Sequence, residues 1–264
     1  MRTPVCDLLD IEFPILAFSH CRDVVAAVTK AGGLGVLGAV AHTPKQLEID
    51  LDWIDGEVKG RPYGLDFIVP AKYAGDDKGG LDPDEIANLI PDEHRVFLDE
   101  MLDRYDVPAL DGDGLERGFG NAVFSASRAQ EQIDVAFGHD LALVANALGP
   151  PPPELLDRAR SENVAVAALA GTPDHALAHV AAGVDLIVAQ GYEAGGHTGQ
   201  IASMVLIPQV VDAAGDIPVL GAGGIASGRQ MAAALALGAS GVWCGSVWLT
   251  TEEAETQPAV KEKS

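Results

Sequence analysis

The residues best suited to chemistry lie in Gln190-Gly191-Tyr192-Glu193-Ala194-Gly195-Gly196-His197-Thr198-Gly199, where four glycines and one histidine share the nine positions after Gln190. Histidine titrates near neutral pH when unperturbed, so such a side chain can accept a proton or hydrogen-bond an anion. Glycine has no Cβ, which lets backbone amides approach a ligand closely. The preceding run, residues 185–189, is apolar and short enough for a buried strand. A permissive loop with a proton-transfer group at a strand end is where an α/β enzyme places its catalytic machinery.

A second glycine group, Gly221-Ala222-Gly223-Gly224-Ile225-Ala226-Ser227-Gly228, follows an apolar run at 217–220 and opens a helical pattern at Ser227. Amides at such a helix start can cradle a phosphate. A dinucleotide fold would end the next strand in an acidic residue that holds a ribose hydroxyl. Here that strand ends in Gly245-Ser246. Two successive neutral loops fit the phosphate site of a (β/α)8 barrel, which favours FMN or a sugar phosphate over plain tight turns.

Gly33-Leu34-Gly35-Val36-Leu37-Gly38 spells G-x-G-x-x-G, but it follows a helical pattern and itself reads as a strand. A helix-to-strand turn with small side chains inside a barrel explains it better. Asp66 interrupts the apolar stretch 64–69, and a buried carboxylate needs a partner or a raised pKa. The expected roles are a ligand contact or a pairing with a core arginine. His20 follows the first strand, at the rim where barrel chemistry occurs. His175 and His179, four apart on a helix, lack a third ligand and read as solvated; His94 reads as exposed, and no metal site is expected.

These loops need strands to carry them. Apolar runs at 14–18, 34–37, 64–69, 141–146, 164–169, 185–189, 217–221 and 241–245 read as strands. Helical patterns between them include 21–31, 151–161, 173–182, 202–214 and 227–237, with Thr172-Pro173 opening one helix and Gly183 closing it. Eight strands in this rhythm predict a single (β/α)8 TIM barrel over 1–264, with a doubly wound open sheet as the competitor. Residues 71–138 break the rhythm: the stretch is acidic and shows no strand pattern until Ile133. It is expected to be a mostly helical insertion after strand 3, either a lid or a small subdomain, with loops at 71–80 and 110–120 and a helix break at Pro91. The chain beyond the eighth strand is short.

Among 264 residues there are 39 acidic and 17 basic side chains, for a net charge of −22. That field repels phosphate backbones and argues against nucleic acid. Any bound phosphate must then be held by backbone amides. No apolar run is long enough for a membrane span, and three scattered cysteines (Cys6, Cys21, Cys244) suit a reduced, cytoplasmic setting. Self-association is left open.

Taken together, Ala31-Gly32-Gly33-Leu34-Gly35, the Gln190–Gly199 segment, Pro218-Val219 through Gly221-Ala222-Gly223-Gly224-Ile225, Ala233 through Ala239, and Gly245-Ser246 resemble the FMN-dependent nitronate monooxygenases, formerly 2-nitropropane dioxygenases. The resemblance spans most of the chain outside the insertion. It implies FMN across the C-terminal rim of the barrel, with Asp66, Gln190, Gly195 and Gly196 by the flavin, Gly223, Gly224, Gly245 and Ser246 around the phosphate, and Gly221 as a further cofactor-binding residue. It also implies that His197 faces a nitronate or nitroalkane substrate, with O2 completing an oxidative denitrification. Related flavin enoyl reductases share the glycine-histidine loop, so an NAD(P)H-dependent reductase of enoyl thioesters or quinones is a second reading, and a flavin-binding protein without turnover a third. The chain departs from the family in Ala17-Phe18-Ser19-His20, which replaces an Ala-Pro-Met, and in Asp66, which replaces a frequent asparagine.

Overall fold

A computed structural model describes residues 2–69, 88–108 and 126–263. Eight parallel strands close into a barrel in sequence order: β1 (Ile15–Ser19), β2 (Leu34–Gly38), β3 (Gly64–Phe67), β4 (Leu143–Asn146), β5 (Ala165–Ala170), β6 (Leu186–Gln190), β7 (Val219–Ala222) and β8 (Gly241–Cys244). Ala17 of β1 lies beside Cys244 of β8, which closes the ring and excludes the open sheet.

The helices are α1 (Pro4–Leu9), α2 (Arg22–Lys30), α3 (Pro44–Val58), α4 (Asp92–Arg104), α5 (Ala126–Ala136), α6 (Pro153–Glu162), α7 (Pro173–Ala182), α8 (Ser203–Ala214), α9 (Gly228–Ala236) and α10 (Pro258–Lys261). Local chemistry sets their ends. At α7 the Thr172 hydroxyl accepts the His175 amide at 3.2 Å, Pro173 takes the first turn, and Gly183 closes the helix at φ 84°. Past β8 the chain makes a short 3-10 turn, Ser246–Thr250, before α10.

Strand alternation splits the apolar residues into two layers. Leu16, Leu34, Val36, Leu143, Leu186 and Leu220 fill the barrel, and Val5, Cys6 and Leu9 of α1 join that cluster. Leu37, Leu65 and Phe67 face outward onto Leu47, Leu51 and Ile54 of α3. Gly35 belongs to this outer face, which corrects the expectation of small side chains inside the barrel. A Cβ there would collide with the Val25 backbone of α2, so its role is to let a helix sit tightly on the sheet. Gly38, by contrast, does face inward.

Of the interval 71–138, the described residues are 88–108 and 126–138. Within 88–108, α4 follows the expected break at Pro91 and buries no side chain. The loops expected at 71–80 and 110–120 lie outside the described residues. Ile133 sits in a helix, and the next strand starts only at Leu143. Ala129, Ile133, Ala136 and Phe137 recur at helical spacing and are buried. Gln132 Nε2 donates to the carbonyls of Ala39 at 2.9 Å and His42 at 2.8 Å, so α5 is fastened to the exit of β2 as a layer of the barrel. Among the described residues no helix is long and apolar enough to cross a membrane.

Candidate active site

Residues paired across parallel strands face the same side of the sheet. Asp66 pairs with Gly38 and Ala145, while its neighbours Leu65 and Phe67 face out, so its carboxyl points into the barrel. Gln190 and Trp243 both pair with Ala222 and face inward by the same argument. All lie at the C-terminal ends of their strands, the end that carries function in this architecture. Asp66 is 6% exposed and its Oδ1 has no hydrogen-bond partner. Burial alone pushes its pKa well above the usual carboxylate range. The alternative of a core arginine partner is not realised among the described residues.

Three loops meet over this mouth. A Cβ on Gly195 would lie 3.8 Å from Ser246 Oγ, which brings the β6 loop against the β8 loop. A Cβ on Gly224 would lie 3.5 Å from Glu193 Cβ, which brings the β7 loop against the same β6 loop. Gly221 is buried beneath this junction against Ala234 and Ile207, so it supports the loop from below. Gly223 and Gly224 turn at φ 104° and 68°, a left-handed path that a side chain would strain. The Gly224 carbonyl is held by Gln230 Nε2. Among the described residues the Gly224 and Ser246 amides donate to no internal acceptor, and both lie where an anion could be received. Gln190 Nε2 reaches the Gly195 carbonyl at a long 3.4 Å. His197, two residues further along, is exposed and makes no hydrogen bond to the described residues.

A small polar hub holds the junction in place. Glu193 accepts from the Ser203 amide at 2.9 Å and from its hydroxyl at 2.8 Å, which ties the β6 loop to the first residue of α8. Ser203 Oγ is also 3.0 Å from the Gly223 carbonyl. Burial pushes the Glu193 carboxyl up, but the bonds from Ser203 outweigh it and hold it below its ordinary value. Ser203 and Glu193 were missing from the sequence-level site, and so was Asn146. Its amide bonds Val69 through both N–H (2.9 Å) and C=O (3.1 Å) and so fixes the exit of β3 just beyond Asp66. A serine opening the helix right after a glycine-rich loop was the available signal for the first two.

The departure in the first loop also takes shape. Phe18 stacks on Trp243 at 6.1 Å and meets the His20 ring edge-on at 5.1 Å. His20 Nδ1 lies 3.1 Å from the Gly38 carbonyl, and its ring is exposed at the rim. Of the two α7 histidines, one meets the expectation of a solvated side chain and the other does not. His175 is exposed, but His179 is 1% exposed and hydrogen-bonds the Leu169 carbonyl at 3.0 Å, because its side of α7 packs on β5.

A family model described as nitronate monooxygenase matches residues 2–264. A protein of Mycobacterium tuberculosis named provisionally as a monooxygenase is 61% identical over 263 residues, covering 100% of this chain and 70% of its own length. A protein of Staphylococcus haemolyticus, named provisionally as a nitronate monooxygenase, is 30% identical over 272 residues, covering 96% and 69%. Among solved structures, nitroalkane oxidase from Streptomyces ansochromogenes superposes with a TM-score of 0.76 at 29% identity, covering 98% of this chain and 71% of that one. FabK from Thermotoga maritima gives 0.74 at 27% identity, covering 100% and 67%.

Proposed function

We propose, from the premise that this chain belongs to the nitronate monooxygenase family, that it oxidises alkyl nitronates or nitroalkanes with O2 on an FMN held across the barrel mouth. The observation that carries the reading is the meeting of the β6, β7 and β8 loops at the end of the barrel where Asp66 and Gln190 face inward, with His197 carried by the β6 loop. These residues suit a flavin mononucleotide. The orphaned carboxyl oxygen of Asp66 offers an unused polar contact inside the mouth. The glycines allow close approach, and the Gly224 and Ser246 amides can receive a phosphate without a cationic side chain. In this reading Gly223, Gly224, Gly245 and Ser246 hold the phosphate on a loop that Gly221 supports from below, while Gln190, Gly195 and Gly196 lie along the ring and its ribityl chain.

A bound flavin supplies electron acceptance and the reaction with oxygen. The chain supplies position and proton handling. His197 stands free to hydrogen-bond the anionic nitro group of a nitronate, or to take the α-proton of a neutral nitroalkane. Phe18 and Trp243 give the mouth an aromatic wall. Three buried free cysteines support a reducing cytoplasmic setting.

Purified protein with added FMN should show a bound-flavin absorbance spectrum. It should consume propionate 3-nitronate or 2-nitropropane under oxygen, with no flavin reduction by NADH. The likeness to FabK is almost as strong as that to nitroalkane oxidase, and the NADH arm of this test separates a monooxygenase from a reductase. Flavin reduction by NADH without nitronate turnover would replace the proposal with an NAD(P)H-dependent reductase of enoyl thioesters or quinones. A colourless protein that ignores FMN would defeat both.

A further inference from the structure

The reading above leaves the chemical state of Asp66 unassigned. Its carboxyl faces the barrel interior, is 6% exposed, and has one oxygen with no partner. We propose that Asp66 serves as a neutral carboxylic acid that donates a hydrogen bond to an uncharged acceptor atom of the ligand in the mouth, a ring carbonyl or ring nitrogen on the flavin reading, and that losing this proton sets the alkaline limit of ligand binding. The assignment of the ligand rests on the proposed function.

Among the described residues the surroundings make an ionised carboxylate expensive. Along the sheet β2 offers Gly38 and β4 offers Ala145, and neither has a polar side chain. Below it the barrel is filled by apolar residues such as Val36 and Leu143, and the inward-facing Gln190 across the mouth is uncharged. The titratable group on the β1 side is His20, whose ring lies over Gly38 and bonds its carbonyl. On α3, which packs on the outer side of the sheet, Asp50 pairs with Arg22 and His42, and Asp55 with His139. Gln132, the polar residue that α5 directs to the exit of β2, is neutral. An isolated carboxylate in such a place would lose its hydration with no compensating charge, so the acid keeps its proton. A protonated carboxyl has an O–H to give, and among the described residues the buried Oδ1 has no partner to receive it.

The folded state holds the Asp66 proton to higher pH than the unfolded chain, so the contribution is complete below the unfolded value and is lost as pH rises towards the folded one. Asp66→Asn keeps the shape and a donor but cannot ionise. Denaturation midpoints of the apoprotein, measured from acidic to alkaline pH, should therefore fall for the parent relative to Asp66→Asn as pH rises. FMN affinity, read by quenching of flavin fluorescence, should stay high in Asp66→Asn. In the parent it should decline at about tenfold per pH unit once the acid ionises. Asp66→Leu, without a donor, should bind roughly 3–10-fold more weakly at neutral pH. The FMN phosphate is common to parent and variant, so the difference between their profiles isolates Asp66.

Parallel binding and stability profiles in parent and Asp66→Asn would overturn the role and leave the flavin reading intact. No FMN binding by the parent at any pH would overturn the flavin reading, and this role with it, even if the stability profiles diverge. Should Asp66→Asn fail to fold, infrared spectra of the parent decide the matter. A protonated-carboxyl band persisting at neutral pH supports the proposal, and its absence overturns it.

Discussion

The two ends of this barrel are built on opposite terms. At the N-terminal end α1 brings Val5, Cys6 and Leu9 into one apolar cluster with Leu16, Leu34 and Leu143, and Asp10 closes the helix in a left-handed turn at φ 51°. At the C-terminal end the inward ring contains Gly38, Asp66 and Gln190, and above it glycine-rich loops replace packed side chains. One end removes apolar surface from water and holds the ring together; the other leaves a carboxyl oxygen without a partner and an imidazole free. The contrast shows how a single closed sheet can separate stability from chemistry, because closure makes the strands rigid whatever lies beyond their ends.

The sharpest way to break this division is at the mouth. His197→Ala should keep FMN yet lose turnover by about 10²–10⁴-fold, the usual worth of a positioned proton-transfer group. Steady-state rates on propionate 3-nitronate check it, and unchanged activity would remove His197 from the site. At the other end Leu9→Ala empties a fully packed position and should cost about 2–5 kcal/mol of stability. FMN affinity at a temperature where the variant stays folded should be unaffected, and a large loss of affinity there would mean that the two ends are coupled. Gly224→Asp puts a charged side chain at a backbone φ of 68° beside the proposed phosphate. It should weaken FMN at least ~100-fold, about 3 kcal/mol, with a much smaller effect on folding. Titration by flavin fluorescence reads this directly.

The smallest expected effect falls on the hub between the two regimes. Ser203→Ala removes a hydroxyl shared by Glu193 and the Gly223 carbonyl and should cost about 1–3 kcal/mol. Glu193 titrates below its ordinary value, so its share of stability is present at neutral pH and lost as pH falls through the folded value. The variant should lose less stability on acidification than the parent, as followed by thermal melts. Equal acid sensitivity would mean that Ser203 does not hold the carboxylate.

Much of the fold was legible because its signals are local. Thr172-Pro173 and Gly183 mark α7 by satisfying orphan amides and permitting a positive φ, and near-continuous apolar runs mark strands covered on both faces. The loops around Gly195, Gly223 and Ser246 were legible for the same reason, since glycine reports a backbone requirement at its own position. What stayed hidden depended on the partner. The outward role of Gly35 is set by the Val25 backbone, the burial of His179 by β5, and the placement of α5 by carbonyls of Ala39 and His42. Ser203 was invisible as a site residue because its partners, Glu193 and Gly223, come from two other loops.

The sequence by itself determined that eight apolar strands would alternate with helices, that the loops after the last three would be rich in glycine, and that one carries a histidine. Those features are written in residue type and spacing, which act over a few positions. Only the tertiary structure decided that β8 returns to β1, that the three loops meet, and that Asp66 has apolar neighbours where an arginine was the alternative. The physical reason is that desolvation and unmet hydrogen bonds are properties of a place in space. A carboxyl group's environment is made by strands far apart in the chain, and closure of the barrel is what brings them around it.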